Sequence, residues 1–255
     1  MNPIILYNNK FSDGTLSVTD TATGYDKNNM LDKREYTFWK ALNATGAKVI
    51  QVDFAADNNS NCIGIVGHNL NYATSIIVET YENTAMIWEV QVAAFTVTDT
   101  KPIFKLFLLP TNYQRKVRIT ISATVAPKIA LLFLGNYLEF PYSPDAPYSV
   151  KEVSNEYEME TSESGYMLGN ALKYKPLKIS PRFSLLSQSF VDGAFKTFWD
   201  THAVYLYPFL FAWDLTNFAA DVFFVHITKD AKRTKVKSIQ AYEDYIDLPM
   251  EGVDA

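Results

Sequence analysis

The residues with the most chemical potential lie in one loop, GYDKNNMLDKREYTFW, residues 24–39. It gathers the oxygen-bearing side chains of Asp26, Asn28, Asn29 and Asp32 beside the rings of Tyr25, Tyr36 and Trp39. Hard oxygen ligands clustered in a loop could hold calcium. Flat rings beside amides could instead stack on a sugar. Asp26, Asn29, Asp32, Tyr36 and Trp39 therefore form the candidate ligand-binding set. The competing reading is structural: Asn and Asp cap turns through their own backbone, while Phe38 and Trp39 anchor the loop to a core.

A second corner, VIQVDFAADNNSNCIGIVGHNL at residues 49–70, sets His68 and the single cysteine, Cys62, near several carboxylates. The three histidines, His68, His202 and His226, fall on different elements. None forms HxH, HExxH or a Cys/His pair at ligand spacing. Each is expected to be structural, His202 at a helix C-terminus where a donor suits the dipole. Cys62 has no partner for an internal disulfide and reads as a small buried apolar residue. The GxSxG, GxxxxGK[ST] and GxGxxG patterns are absent. Asp53 and Glu89 stand isolated, although carboxylate pairing is spatial and sequence does not settle it. The expectation is a non-enzymatic chain without a cofactor.

Behind these residues must stand a framework of sheets. Aromatic residues make up 15% of the 255 positions, with 16 Tyr and 17 Phe, a bias that suits pleated surfaces. Net charge is −5, and the densest basic cluster, Lys232-Arg233-Thr234-Lys235, reads as a solvated hairpin tip. No electrostatic footprint for nucleic acid is present. The start, MNPIILYNNK, lacks the pattern of a signal peptide. The longest apolar run, Ile129 to Leu134, is far short of the ~20 residues of a spanning helix. A soluble protein made inside a cell, with no membrane insertion, is expected.

Period-2 alternation predicts strands at 49–54, 63–67, 75–81, 86–92, 103–109, 117–123 and 129–134. They are separated by polar or Pro-containing loops at 55–61, 98–102 and 110–113, as in an antiparallel sandwich. EFPYSPDAPYSV, residues 139–150, holds three prolines in seven positions and marks a domain boundary. The domains are then 1–140, a β-sandwich; 141–149, a linker; and 150–255, an α+β unit. In the last, strands are expected at 150–161, 166–174, 177–187, 205–213, 222–228 and 236–245. Residues 188–203 switch to a 3.6 period, with Phe190, Ala194, Phe195, Phe198, Trp199 and His202 on one stripe, so one amphipathic helix packs on a sheet. The fold class is mainly β: an N-terminal antiparallel sandwich and a C-terminal α+β domain with one helix.

Several short motifs keep an order that resembles a known family. Asn29-Met30-Leu31-Asp32, then Thr37-Phe38-Trp39, Val49-Ile50-Gln51-Val52-Asp53-Phe54 and Ile63-Gly64-Ile65-Val66-Gly67-His68-Asn69-Leu70 resemble discoidin-like (galactose-binding-like) jelly rolls. The resemblance covers about residues 10–140, and the variant with Gly-His-Asn-Leu is similar to modules in structural proteins of tailed bacteriophages. It implies that Asp53 forms a turn at a strand end and that His68 and Asn69 bond loop backbone. Unlike extracellular discoidin domains, this chain has no bracketing cysteine pair.

Phe183-Ser184, Phe190, Phe195, Phe198-Trp199 and Tyr207-Pro208-Phe209-Leu210-Phe211-Ala212-Trp213-Asp214 are similar to the pattern of phage tail-tube-like and distal-tail proteins. That likeness implies a sheet with one helix packed on it and edge-strand pairing between subunits in rings. Together the resemblances imply a non-enzymatic virion structural protein of the tail tip or baseplate, assembled in the host cytoplasm. Its partners would be copies of itself in a ring and other tail proteins. The alternative is a carbohydrate-binding module contributing to host-surface recognition, which would need Tyr36 and Trp39 exposed and co-facial.

Overall fold

The computed structural model describes residues 2–82, 86–108, 114–235 and 242–253. The expected 110–113 loop and most of the expected 236–245 strand lie outside them. Among the described residues the chain is mainly β and divides into two compact units: residues 3–139 with 210–223, and residues 140–209 with 224–255.

The first unit opens with β1 (Ile4–Leu6), β2 (Thr15–Val18) and β3 (Trp39–Lys40). There follow β4 (Lys48–Asn58), β5 (Cys62–His68), β6 (Ala73–Glu82) and β7 (Ile87–Phe95). β8 (Ile103–Leu106), β9 (Gln114–Ala123), β10 (Lys128–Gly135) and β11 (Leu138–Glu139) complete the run. Two antiparallel sheets result, β2-β4-β9-β6-β7 and β3-β10-β5-β8. Alternation drives them together. Ile50 and Val52 of β4, Ile119 and Ile121 of β9 and Ile76 and Val78 of β6 share one buried core with Ile63, Ile65, Ile129, Leu132 and Leu134 of the smaller sheet. Side chains of period 2 give each strand one apolar face, and two such faces close a sandwich.

β10 breaks that alternation: Ile129 to Leu134 is buried without interruption. The reason is a further layer. β1 pairs antiparallel with a distant segment, Ile4 opposite Ala212, Ile5 opposite Phe211 and Leu6 opposite Leu210. A Cβ on Gly64 of β5 would fall 2.1 Å from Leu210 Cδ1, so this ribbon lies against the outer side of the smaller sheet. A strand covered on both faces has no polar face to show. Residues 210–223, read from the sequence as part of the second domain, thus belong to the first unit. Asp53 also departs from expectation: it sits inside β4, accepts from Gln51 Nε2 at 2.6 Å and faces Lys116 Nζ at 3.2 Å.

The second unit contains β12 (Glu152–Val153), β13 (Glu156–Thr161), β14 (Met167–Tyr174), β15 (Pro176–Ile179) and β16 (Arg182–Ser187). Helices α1 (Gln188–Asp192) and α2 (Ala194–Thr201) follow. The chain then runs through β17 (Phe209–Ala212), whose last three residues are those paired with β1, and β18 (Val222–Ile227). β19 (Lys232–Lys235), β20 (Tyr242–Asp247) and β21 (Met250–Val253) end it. The single expected helix is two, broken at Gly193, whose Cβ position lies 2.5 Å from Ser189 O. The break leaves Ala194 exposed at the start of α2, while Phe195 and Phe198 remain buried. Their rings join a stack: Phe140 on Phe183 at 4.0 Å, Phe195 beside Phe198 at 5.8 Å, and Phe198 edge-on to Phe209 at 5.1 Å. Such pairs add to area burial.

Two expected loops are ordered differently. Lys232–Lys235 is a strand paired with β20, not a hairpin tip. The Pro-rich 141–149 segment is tied to the second unit, with Asp145 N–H donating to Arg182 O at 2.7 Å and the Ser184 hydroxyl to the Asp145 carboxylate.

Candidate functional site

The 24–39 loop is built by its own polar side chains. Asp26 caps a short 3-10 turn by accepting from Asn28 N–H at 2.8 Å. Asn29 Nδ2 donates to Phe38 O at 3.1 Å. Asp32 accepts from Arg34 N–H at 2.9 Å and from the Thr37 hydroxyl at 2.6 Å. The Asp26 and Asp32 bonds to N–H groups two residues on are the short-range turns that Asx side chains favour, and the Asn29 and Thr37 bonds tie more distant parts of the loop together. Three of the five candidate ligand residues therefore spend hydrogen-bonding capacity inside the loop. Among the described residues no cluster of three His, Cys, Asp or Glu is placed to hold a metal.

The two candidate rings go opposite ways. Trp39 is fully buried, and its Nε1–H donates to Asp20 O and Thr21 Oγ1, both at 3.2 Å. Tyr36 is 75% exposed, with the Arg34 guanidinium 5.9 Å from its ring centre. They share no platform. Below Trp39, Lys48 is buried and gives its ammonium to the Asp20 carboxylate at 2.5 Å and to Asn43 Oδ1 at 3.0 Å. Burial works to raise the Asp20 carboxyl, but the Lys48 hydrogen bond and the Leu42 N–H outweigh it and hold it below the usual range.

A different set of rings faces outward. Tyr25 stacks on half-buried Phe38, centroids 4.8 Å apart and planes 24° from parallel. Lys40 and Lys128 stand directly opposite each other across the β3–β10 ladder. Lys40 Nζ lies 5.8 Å from the Tyr25 ring and Lys128 Nζ 4.9 Å from the Phe38 ring. The register that buries Trp39 against Ile129 is the one that pairs these lysines on the outside. Cations over ring faces are mutually stabilising. Sequence reading put Tyr25 and Phe38 in the loop but missed both lysines; the pairing of residues 40 and 128 leaves no trace in local spacing.

His68 and Cys62 are occupied elsewhere. His68 Nδ1 accepts from Leu70 N–H at 3.2 Å and Nε2 meets Lys101 O at 2.8 Å, which sets the neutral tautomer with the proton on Nε2. Burial pushes its pKa down, and the Lys101 carbonyl only partly offsets this. Asn69 Nδ2 donates to Ala126 O and its Oδ1 accepts from Lys128 N–H, so both residues bond loop backbone. Cys62 is buried, its Sγ 3.2 Å from Gly135 O, and burial drives the thiol pKa up, away from the thiolate a nucleophile needs.

No family model and no curated protein matches the chain. Among solved structures it is similar to chitosan-binding module 1 of a Paenibacillus sp. IK-5 chitosanase/glucanase, at 13% identity and a TM-score of 0.44, over 50% of this chain and 98% of that one. It is also similar to the family 32 carbohydrate-binding module of Clostridium perfringens NanJ in complex with galactose: 19% identity, TM-score 0.42, 53% of this chain and 99% of that one. A third is a Ruminococcus gnavus GH29 fucosidase in complex with fucose, at 17% and 0.43, where 52% of this chain matches 27% of the other.

Proposed function

We propose that the first unit is a non-catalytic binding module that takes an acidic saccharide on the Tyr25–Phe38 stack. The Lys40 and Lys128 ammonium groups would pair the sugar's carboxylate or sulfate. One observation carries the reading: two like charges stand directly opposite in a ladder, beside outward rings, on a chain of net charge −5. Like-charge cross-strand pairs cost stability, and an anion seated between them would turn that cost into charge-assisted hydrogen bonds. The C–H face of a sugar packs on an aromatic ring as other apolar groups do.

The test is a glycan array with neutral and acidic members, followed by calorimetry of any hit. Acidic glycans should bind, more weakly as salt rises. The K40A/K128A double variant should bind at least about tenfold more weakly, a loss near 1.4 kcal/mol. An array without hits, or a hit indifferent to both lysines, sinks the proposal.

The second reading is a structural component of a phage tail, at the tip or baseplate, for which saccharide binding would serve host attachment. The observation favouring it is the second unit, where α2 packs Phe195 and Phe198 among Phe140 and Phe209. The sequence resemblance to distal-tail proteins implies only a sheet with one helix packed on it, so these contacts are compatible with that reading and do not single it out. A ring of copies, other tail proteins as neighbours and a place in the virion belong to this reading. Negative-stain microscopy of the purified chain tests it: rings of constant copy number support it, and their absence at high concentration counts against it.

A further inference from the structure

We infer that the β13–β14 hairpin is a docking face for a second copy of this chain, apolar face against apolar face across a two-fold axis. The hairpin forms a two-stranded sheet of its own, and every residue of both strands is exposed. A two-stranded ribbon is marginal in water without something to pack on.

Its two faces are sharply different. The register sets Tyr157 opposite Leu172 and Met159 opposite Asn170, with Leu168 two residues along on the same side. Tyr157, Met159, Leu168 and Leu172 are 48–67% exposed. The other face carries Glu156, Glu158 and Glu160, with Tyr174 opposite Glu156 and Lys173 Nζ 3.4 Å from Glu158. Counting Met167 at the bulge, the apolar face offers on the order of 440 Å² per copy, taking for each side chain its exposed share of ~150 Å², the low end of the range for a fully buried aromatic ring. That is within the ~300–600 Å² of the largest apolar patch on a typical monomer, a size that is often functional. Two such faces bury ~800–1,000 Å² in total, at the lower margin of a specific interface, so the dimer should dissociate on dilution.

The chemistry of the face selects a copy of itself as occupant. All three glutamates point away from the apolar side, so two identical faces meet without like charges between them. The acidic faces turn to solvent and keep a third copy from stacking. Asn170, the polar residue among the apolar ones, carries both donor and acceptor on one amide, so it can pair with its own counterpart across the axis. A contact of this kind is isologous and closes at two copies. It does not depend on the saccharide reading.

Sedimentation velocity of the full chain from about 1 to about 200 μM tests the inference. The expected result is a monomer–dimer equilibrium that Tyr157→Ser with Leu172→Ser abolishes, with circular dichroism unchanged because both side chains are already exposed. Asn170→Asp, which sets like charges on the axis, should weaken the dimer at least about tenfold. Met159→Cys should cross-link to itself on mild oxidation, Cys62 being buried. A monomer at every concentration overturns the inference, as does a dimer or larger ring that survives the double serine variant.

Discussion

The Trp39 indole N–H donates to the Asp20 backbone oxygen at 3.2 Å, and the carboxylate of the same Asp20 takes the buried Lys48 ammonium. One residue thus fixes the ring that anchors the 24–39 loop and satisfies a charge inside the sandwich. The loop's outward residues are held in place from below.

Trp39 and Tyr36 should therefore separate cleanly in stability. Trp39→Ala empties a fully buried site and should cost about 3–5 kcal/mol. Tyr36→Ala should stay within about 0.5 kcal/mol. Urea unfolding of both variants makes the comparison, and equal effects would contradict the assignment of Trp39 to the core.

Lys48→Met leaves the Asp20 carboxylate without its cation. Since Asp20 keeps the Leu42 N–H at 2.8 Å and some solvent contact, the loss should be about 2–3 kcal/mol, slightly below that of a fully buried pair. Adding Asp20→Asn removes the stranded charge and should recover part of it. A double-mutant cycle measures the coupling.

Gly67 stands at φ +62 with its Cβ position 2.6 Å from Ala130 Cβ. Gly67→Ala should cost about 1–3 kcal/mol through backbone strain and collision together. Gly46, at φ +72 with open space around it, isolates the backbone part, so Gly46→Ala should cost less. Thermal melts of the two variants give the ordering.

His68 makes stability depend on pH in a stated direction. Its folded pKa lies below the ordinary 6.5, so on acidification the unfolded chain takes up the proton first. The histidine's contribution is fully present above about pH 6.5 and is lost as pH falls through the lowered folded value. Melting temperatures of the wild type and His68→Gln between pH 8 and pH 5 should differ most at the alkaline end and converge toward the acid end. A gap that widens on acidification would reverse the sign and refute the neutral-histidine assignment.

Much of the fold was legible because strands write a period of two into the chain. The expected strands at 49–54, 63–67 and 129–134 fall within β4, β5 and β10, and the 166–174 return strand matches β14 to within a residue. The helix was legible as a stripe but not as two pieces, since the break at Gly193 is a backbone event that the apolar spacing of Phe190, Phe195 and Phe198 does not encode. Three-residue β1 is too short for any period to show, and its partner strands β11 and β17 lie roughly 130 and 200 residues away. Of the candidate site, Asp26, Asn29 and Asp32 were legible as a loop, yet whether they turn inward or toward a ligand depends on geometry, and here each makes a bond within the loop.

By itself the sequence determined most of the longer extended segments, where an amphipathic helical stripe lies, and that the loop of residues 24–39 combines amides with rings. Those properties follow from neighbours along the chain, whose side chains alternate or recur with a fixed period. Only the tertiary structure decided that Trp39 is buried while Tyr25 and Phe38 face out, that Lys40 stands opposite Lys128, and that Leu210–Ala212 returns to β1. Each of these is a pairing between distant residues, set by which faces find cover in a packed core and not by the composition of either partner.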